Sequence, residues 1–225
     1  MNHFRTRIKI CGLTRETDVD AAVQGGADAI GFVLYPKSER CVTPERAGEL
    51  ARRLPPFVTP VLLFVNASTE FIAQGVAAVP NALLQFHGDE TPVDCRSAER
   101  PFVRAARIPA GVAGSGFDLL KYAQDYADAQ ALLLDAHVEG YGGGGQSFDW
   151  TAFPWSHTLL NAGSRLVLSG GLDAANVRDG ISQVRPWAVD VSSGVEVAKG
   201  IKDPKKIHQF VAAVRAADIA LSRPS

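Results

Sequence analysis

Eight short apolar segments recur along this chain of 225 residues, and stretches with the spacing of amphipathic helices lie between them. Apolar runs of this length, bounded by glycine, proline and polar residues, are typical of buried strands. Strands that alternate with helices belong to a parallel sheet, because helical crossovers cover both of its faces. The eight segments are residues 7–11, 28–34, 60–65, 82–86, 102–106, 131–135, 165–169 and 187–191.

Eight strands, each followed by a helix and joined without a linker or low-complexity tract, predict an α/β fold: a single (β/α)8 TIM barrel with eight parallel strands. We expect one domain over residues 1–225, close to the usual length of about 250 residues. A doubly wound open sheet is the alternative. Gly140, Gly142 and Gly145 have the spacing of a dinucleotide-binding fingerprint. Because no strong helix follows them at once, we interpret them as part of a glycine-rich loop.

Charge and cysteine content narrow the class of partner. Lysine and arginine total 23 against 24 aspartate and glutamate residues, which favours neither nucleic acid nor an anionic membrane. The first residues lack the apolar core of a secretory signal, and no apolar run approaches the roughly 20 residues that span a bilayer. Three cysteines without a CxxC pair indicate reduced thiols. We therefore expect a cytoplasmic protein, a monomer in preference to a homodimer, with no nucleic-acid or membrane partner.

The active sites of such barrels lie where the strands end, so residues at the ends of the segments are the candidates. A strand side chain shares its face with the side chain two positions before it. On this spacing the inward-facing pairs are Lys9 with Cys11, Gln85 with His87, Leu133 with Asp135, and Asp190 with Ser192.

Lys9 and Asp190 lie on the first and last strands, which become neighbours when a barrel closes. A buried lysine or aspartate is costly without a partner of opposite charge. The sequence therefore predicts an ion pair between them, with a solvated polar layer as the alternative.

Two turns rich in glycine and serine follow the seventh and eighth strands. Gly170 and Gly171 lead into a helix, and Ser192, Ser193 and Gly194 follow the last strand. Glycines let backbone N–H groups approach a ligand, and a helix N-terminus favours an anion. We expect a phosphorylated ligand at these two turns.

With these residues identified, the chain resembles the phosphoribosylanthranilate isomerase family of tryptophan biosynthesis over nearly its whole length. Each motif alone is weak evidence for the family, but their order along the chain is highly specific. The motifs are residues 9–12 (KICG), 31–40 (GFVLYPKSER), 64–66 (FVN), 84–88 (LQFHG), 134–135 (LD), 142–150 (GGGGQSFDW), 169–172 (SGGL) with Asn176, 189–196 (VDVSSGVE) and 200–203 (GIKD).

The resemblance implies an aldose–ketose isomerase, an intramolecular oxidoreductase that carries out an Amadori rearrangement without metal or cofactor. Its substrate would be N-(5-phosphoribosyl)anthranilate, a phosphorylated aminosugar. Its product would be 1-(2-carboxyphenylamino)-1-deoxyribulose 5-phosphate. By resemblance Asp135 is the general acid that protonates the ring oxygen, and Cys11 is the general base that removes the C2 proton. Arg40 would hold the anthranilate carboxylate, unless it is a solvated loop charge. His87 would line the pocket, unless it is a strand-end histidine bonded to backbone.

The long loop at residues 137–147 has too many glycines to be rigid without a ligand, so we interpret it as a lid or as a flexible connector. The chain departs from the family pattern here, since Gly144 and Gln146 stand where threonine and a basic residue are expected. Lys199 stands where proline is common. These departures concern lid motion and loop rigidity more than the proposed acid and base.

Two other functions fit part of the pattern. Asp135, His137 and His87 offer oxygen and imidazole ligands for a divalent metal in a sugar-phosphate epimerase. A barrel that only binds a phosphorylated metabolite is the non-enzymatic reading. Neither alternative gives Cys11 a role.

Overall fold

The computed structural model describes residues 5–109, 116–136, 148–160 and 165–222. Eight parallel strands follow one another around a closed barrel in chain order, with the last strand beside the first. The predicted (β/α)8 fold is therefore confirmed. The strands are β1 (Arg7–Cys11), β2 (Ala29–Val33), β3 (Thr59–Phe64), β4 (Leu83–Phe86), β5 (Phe102–Ile108), β6 (Ala131–Ala136), β7 (Leu166–Leu168) and β8 (Ala188–Val191).

Seven α-helices in the described ranges cover the outside of the barrel. They are α1 (Glu16–Gly25), α2 (Pro44–Ala51), α3 (Thr69–Ala78), α4 (Pro92–Ser97), α5 (Leu119–Asp125), α6 (Val177–Val184) and α7 (Pro204–Ser222). Within these ranges no helix combines the length and the apolar character needed to cross a bilayer.

The described part of the crossover after β6 begins with a 3₁₀ helix. Its residues 148–160 hold that helix at Trp150–Ala152 and are helical again at residues 158–160. Phe153 and Pro154 separate the two, and Pro154 has no N–H to continue a helical ladder. The segment is held instead by aromatic packing and by the Trp155 indole, which donates to the carbonyl of Trp150 across 2.6 Å.

The helix starts show where local prediction works. Thr43 caps α2 by accepting from the backbone N–H of Arg46, with Pro44 at the first helical position, as the Thr-Pro pair predicts. Thr14, followed by Glu16 and Thr17, predicts a helix that Thr14 caps through its side chain, and for α1 this prediction is wrong. Arg15 occupies the cap position without a side-chain bond, and the Thr14 hydroxyl donates to the carbonyl of Gly200. The Thr14 hydroxyl therefore bonds to a loop that is distant in sequence instead of to the first turn of α1.

The main core lies between the strands and the helices. Alternate strand side chains point outward into it and are completely buried, among them Ile8, Ile10, Phe32 and Phe64. The other set points into the barrel, and the register places Lys9 beside Asp190. After β8 the chain forms a two-stranded antiparallel hairpin, β9 (Glu196–Ala198) and β10 (Ile201–Lys202), which the apolar pattern does not predict.

Candidate active site

Cys11 ends β1 with its thiol inside the barrel mouth. The residue is 5% exposed and packs with Val33, Leu63 and Val65 from the next two strands. Gly31 is its register partner on β2, and a Cβ at that position would stand 2.6 Å from Cys11 Sγ. A glycine opposite the cysteine therefore makes room for the thiol.

Charged groups below and beside the thiol decide its ionisation. Burial raises the pKa of Cys11, whereas the ammonium groups of Lys9 and Lys202 lower it and Asp190 raises it again. The net effect is a pKa above the ordinary value of 9.0. The two lysines thus offset part of the desolvation that disfavours the thiolate.

The predicted ion pair is confirmed, because Lys9 Nζ lies 2.8 Å from Asp190 Oδ1. Both side chains are buried, and each charge offsets the desolvation cost of the other. Burial alone would lower the pKa of Lys9, but Asp190 and Cys11 outweigh it and the net shift is upward. Lys9 therefore stays a cation directly beneath Cys11.

Asp135 lies near the end of β6 and joins a buried chain of hydrogen bonds. Its Oδ2 is 3.0 Å from His87 Nε2, and His87 Nδ1 is 3.0 Å from the amide nitrogen of Gln85. Because an amide nitrogen can only donate, Nδ1 accepts and the ring proton lies on Nε2, facing Asp135. The His87 ring thus bonds to side chains, rather than to backbone as the sequence alternative supposed.

Gln85 was placed on the inward face by its spacing but was given no function from sequence. It is 1% exposed, and its Oε1 has no hydrogen-bond partner in the part of the chain that the structure describes. Among the described residues, the Gln85 amide therefore bonds only through its nitrogen, to His87. Through this bond it orients the His87 ring, which in turn bonds to Asp135.

Arg40 follows β2 and meets a carboxylate from its own chain. Its Nε and Nη2 donate to the two oxygens of Glu196 at 2.8 and 2.7 Å, in the bidentate geometry expected for a substrate carboxylate. Glu196 also accepts from Lys202 Nζ at 2.8 Å. Burial would raise the pKa of Glu196, but the hydrogen bond from Arg40 and the charge of Lys202 lower it overall.

Glu196 and Lys202 were missed as site residues by sequence reasoning, although both lie within the motifs of the family resemblance. Lys202 is 2% exposed, and burial lowers its pKa despite the carboxylate beside it. Its ammonium also donates to the carbonyl of Ser192 at 3.1 Å. The signal in the sequence that could have identified Lys202 is its place within the motif at residues 200–203.

The turn after β7 has the backbone that an anion site requires. Gly170 and Gly171 have φ angles of 81° and 61°, in the region that favours glycine. A Cβ on Gly170 would lie 2.5 Å from the backbone nitrogen of Ala136 and 3.0 Å from Asp135 Oδ1. Neither glycine N–H has a backbone acceptor among the described residues. The side-chain amide of Asn176 donates to the Gly171 carbonyl and holds the turn in place.

The turn after β8 packs against the turn after β7, because a Cβ on Gly194 would overlap the carbonyl oxygen of Leu172. The Ser192 hydroxyl donates to the carbonyl of Cys11 at 3.0 Å and ties this turn to β1. Ser193 begins a 3₁₀ helix that leaves the turn half-buried. The two predicted turns are therefore adjacent, and in the strand order they lie between Asp135 on β6 and Cys11 on β1.

Several sequence predictions fall outside the described residues. They include the lid interpretation of residues 137–147, the departures at Gly144 and Gln146, and the metal ligand His137. Lys199, the remaining departure, forms an exposed ion pair with Glu39 at 2.7 Å. Within the described ranges, no group of three or more histidine, cysteine, aspartate or glutamate side chains is arranged to hold a metal ion.

Comparison with known proteins gives consistent results. Residues 8–213 match the family model described as N-(5'phosphoribosyl)anthranilate (PRA) isomerase. The chain is 62% identical over 215 residues to the N-(5'-phosphoribosyl)anthranilate isomerase of Methylibium petroleiphilum, with 96% of each chain covered.

Solved structures agree with the sequence comparison. Phosphoribosyl anthranilate isomerase from Thermotoga maritima has a TM-score of 0.82 at 38% identity, with 94% of this chain and 99% of that chain covered. A second structure, of such an isomerase in complex with reduced 1-(o-carboxyphenylamino)-1-deoxyribulose 5-phosphate, has a TM-score of 0.75 at 36% identity and the same coverage. A third, described as monomers generated from the dimeric Thermotoga maritima isomerase, has a TM-score of 0.77 at 35% identity, again with 94% and 99% covered.

Proposed function

The chain belongs to the N-(5'-phosphoribosyl)anthranilate isomerase family, and from that premise we propose that Cys11 and Asp135 carry the two proton transfers of its reaction. The protein is an aldose–ketose isomerase of tryptophan biosynthesis, which rearranges N-(5-phosphoribosyl)anthranilate to 1-(2-carboxyphenylamino)-1-deoxyribulose 5-phosphate. The observation that carries the assignment is that a buried thiol and a buried carboxyl lie at the ends of β1 and β6, each with its own polar partners.

Asp135 acts as the general acid. It gives a proton to the furanose ring oxygen, the C1–O bond breaks, and the nitrogen lone pair forms the C1 iminium. The carboxylate left behind accepts a hydrogen bond from His87 Nε2, which stabilises the charge that develops. His87 thus acts through Asp135, as a positioning residue.

Cys11 acts as the general base. Its thiolate takes the proton from C2, the C2–H electron pair forms the C1=C2 bond, and the iminium nitrogen receives the electrons. The enolamine then takes a proton at C1 and loses the proton of its C2 hydroxyl, which yields the C2 ketone. Lys9 and Lys202 favour the thiolate in a buried setting that otherwise disfavours it. The neighbouring iminium makes the C2 proton acidic enough for a thiolate to remove.

The turns at Gly170–Gly171 and at residues 192–194 hold the substrate phosphate. Support comes from the positive φ angles of the two glycines and from the packing of the turns against each other. Arg40 binds the anthranilate carboxylate through the guanidinium edge that Glu196 does not occupy. The Nη1 group on that edge has no acceptor within the described residues.

The remaining proposals concern the partner, the cofactor, the cellular location and the oligomeric state. The phosphorylated aminosugar is the partner, no metal or cofactor takes part, and the protein works in the cytoplasm as a single domain over residues 1–225. Turnover that survives exhaustive chelation supports this assignment over the metal-dependent epimerase. The expectation of a monomer is a prediction too, and a homodimer is its alternative, since the Thermotoga maritima relative is described as dimeric.

The test follows the loss of anthranilate-type fluorescence as freshly generated substrate is added. Cys11→Ala and Asp135→Asn should each lower kcat by about 10² to 10⁴ while product affinity changes little. Cys41→Ala is the matched control, because it removes a partly buried thiol that donates to the neighbouring Val42 carbonyl. Near-normal turnover in either site variant would remove that residue from the mechanism.

A further inference from the structure

Glu196 lies at the centre of a buried cluster of charged side chains beside the ends of β1 and β8. One of its carboxylate oxygens accepts from Arg40 Nε and from Lys202 Nζ, each at 2.8 Å, and the other accepts from Arg40 Nη2 at 2.7 Å. The backbone N–H of Gly200 adds a bond of 3.3 Å. Groups of the chain itself thus occupy both oxygens, so Glu196 holds its neighbours rather than a ligand.

Within the part of the chain that the structure describes, this cluster is short of one negative charge. Two cations, Arg40 and Lys202, share the carboxylate of Glu196, and all three side chains are buried. The buried carboxylate of Asp18 accepts from the backbone N–H of Lys202, but its ion pair is with Arg15. Buried charges are stable only when opposite charges offset them. The cluster is therefore suited to an anionic ligand that completes the balance.

The orientation of the Arg40 guanidinium is fixed from two sides. Glu196 holds its Nε–Nη2 edge with two parallel hydrogen bonds, which define the plane of the group. The aliphatic part of the side chain crosses Gly12, where an added Cβ would stand 2.5 Å from Arg40 Cδ. Gly12 directly follows Cys11, and the charge of Arg40 interacts with that thiol. The guanidinium is therefore held in one plane close to the proposed general base.

The same carboxylate connects Arg40 to the turn after β8. Lys202 Nζ bonds to Glu196 and also donates to the Ser192 carbonyl at 3.1 Å. The Ser192 hydroxyl in turn donates to the carbonyl of Cys11. A continuous chain of hydrogen bonds therefore runs from the guanidinium to one of the two turns that we assign to the substrate phosphate.

We propose that Glu196 is a positioning residue for substrate recognition: it holds Arg40 so that the open edge of the guanidinium binds the anthranilate carboxylate at a fixed distance from the phosphate. The inference rests on the proposed function, in which Arg40 binds that carboxylate, and it adds the residue that makes this binding selective. Glu196 itself does not touch the substrate. An arginine held in this way loses its side-chain entropy on folding instead of on binding, so more of the interaction with the carboxylate contributes to affinity.

A purely structural ion pair would give a different result. If Glu196 only offset the charges of Arg40 and Lys202, its loss would weaken the binding of every ligand of the site to a similar extent. If Glu196 positions Arg40, its loss weakens only the binding of ligands that carry the carboxyl group. The test therefore uses two ligands that differ in that group alone.

The two ligands are reduced 1-(2-carboxyphenylamino)-1-deoxyribulose 5-phosphate and the same compound without its carboxyl group, and calorimetry gives the Kd of each. Glu196→Gln should reduce the preference for the carboxylated ligand by about 10- to 100-fold, because the new amide places an N–H group against Arg40 or Lys202. The Kd of the other ligand should stay within about twofold of wild type, which also shows that the variant is folded. In steady-state kinetics the loss should fall mainly on KM. An unchanged preference would overturn the inference.

Two further variants separate the bond from the charge. Glu39→Gln is the matched control, because Glu39 precedes Arg40 in the same loop but forms an exposed ion pair with Lys199. It removes a nearby carboxylate without breaking a bond to the guanidinium, and the preference should not change. Glu196→Asp keeps the negative charge between the two cations, which protects folding, but it is one methylene too short to bond both as Glu196 does. It should also reduce the preference, and a wild-type preference in this variant would count against a positioning role.

Arg40→Met distinguishes failure of this inference from failure of the proposed function. If Arg40 binds the carboxylate, Arg40→Met should reduce the preference, and adding Glu196→Gln to it should reduce the preference no further. A preference that survives Arg40→Met would remove the proposed role of Arg40 and the inference with it. A preference that falls in Arg40→Met but not in Glu196→Gln would overturn the inference alone.

Discussion

His87 Nε2 lies 3.0 Å from Asp135 Oδ2, and the amide nitrogen of Gln85 fixes the ring from behind at the same distance. The three side chains come from β4, the residue after it and β6, and all are buried. The carboxyl that we propose as the general acid is thus held by an imidazole ring, and the orientation of that ring depends on one amide.

Replacing Gln85 by leucine should disturb this arrangement without touching substrate. The ring of His87 would lose its partner at Nδ1, and misplacement of a catalytic group can cost about 100-fold in rate. We expect kcat to fall by about tenfold to 100-fold with little change in KM, measured by steady-state kinetics. Gln85→Glu keeps the length of the side chain but removes the N–H that Nδ1 accepts, so it should lower kcat as well. An unchanged kcat in both variants would show that the chain does not orient Asp135.

The ionisation of the buried Cys11 thiol should be visible in the ultraviolet absorbance of its thiolate. Burial raises the pKa of Cys11 above its ordinary value of 9.0, so the thiolate absorbance that the wild type has and Cys11→Ala lacks should still be rising as pH passes 9. Lys9→Met removes a cation that favours the thiolate and should move this titration to higher pH.

Lys9→Met paired with Asp190→Leu is the control for that experiment, because the double variant leaves no uncompensated buried carboxylate. Any upward movement of the thiol titration that persists in the double variant belongs to the thiol rather than to loss of stability. A thiolate absorbance that is already complete near neutral pH in the wild type would contradict a raised Cys11 pKa.

Gly31→Ala should displace the catalytic thiol. An added Cβ would stand 2.6 Å from Cys11 Sγ, and the thiol has packed side chains on its other sides. We expect kcat to fall by about tenfold or more, with the modest loss of stability typical of overpacking, about 1–3 kcal/mol. Gly116→Ala, where a Cβ would meet nothing within 4 Å, is the matched control in kinetics and urea unfolding. Equal kinetics for the two variants would mean that the thiol does not need its present position.

Glu196→Gln should destabilise the protein in a pH-dependent way. The change leaves Arg40 and Lys202 without their anion, and loss of one partner of a buried ion pair costs about 3 kcal/mol or more. The pKa of Glu196 is lowered in the folded state, so its contribution is present above its ordinary value of 4.5 and is lost as pH falls through the folded pKa.

Urea unfolding curves taken from neutral pH downwards check this prediction. The difference in unfolding free energy between the wild type and Glu196→Gln should be largest near pH 7 and shrink in acid. A difference that stays constant with pH would show that the charge of Glu196 does not carry the effect.

Sequence reasoning succeeded where the determinants are local. Period-2 alternation placed Cys11 with Lys9 and His87 with Gln85 on the inward face, and barrel closure then predicted the ion pair to Asp190. It failed at Thr14, whose hydroxyl bonds to the Gly200 carbonyl instead of capping α1. The local pattern at Thr14 contains no information about a loop that arrives from the far end of the chain.

The sequence by itself determined the number and order of the strands and the side of the barrel that strand residues such as Lys9, Cys11 and His87 face. Only the tertiary structure decided the partners of the buried charges Arg40, Glu196 and Lys202. Arg40 and Glu196 are 156 positions apart, yet closure of the barrel places them at hydrogen-bond distance. Desolvation makes such a pairing necessary, because a buried ion is stable only beside its opposite, but the identity of that neighbour depends on how the whole chain packs.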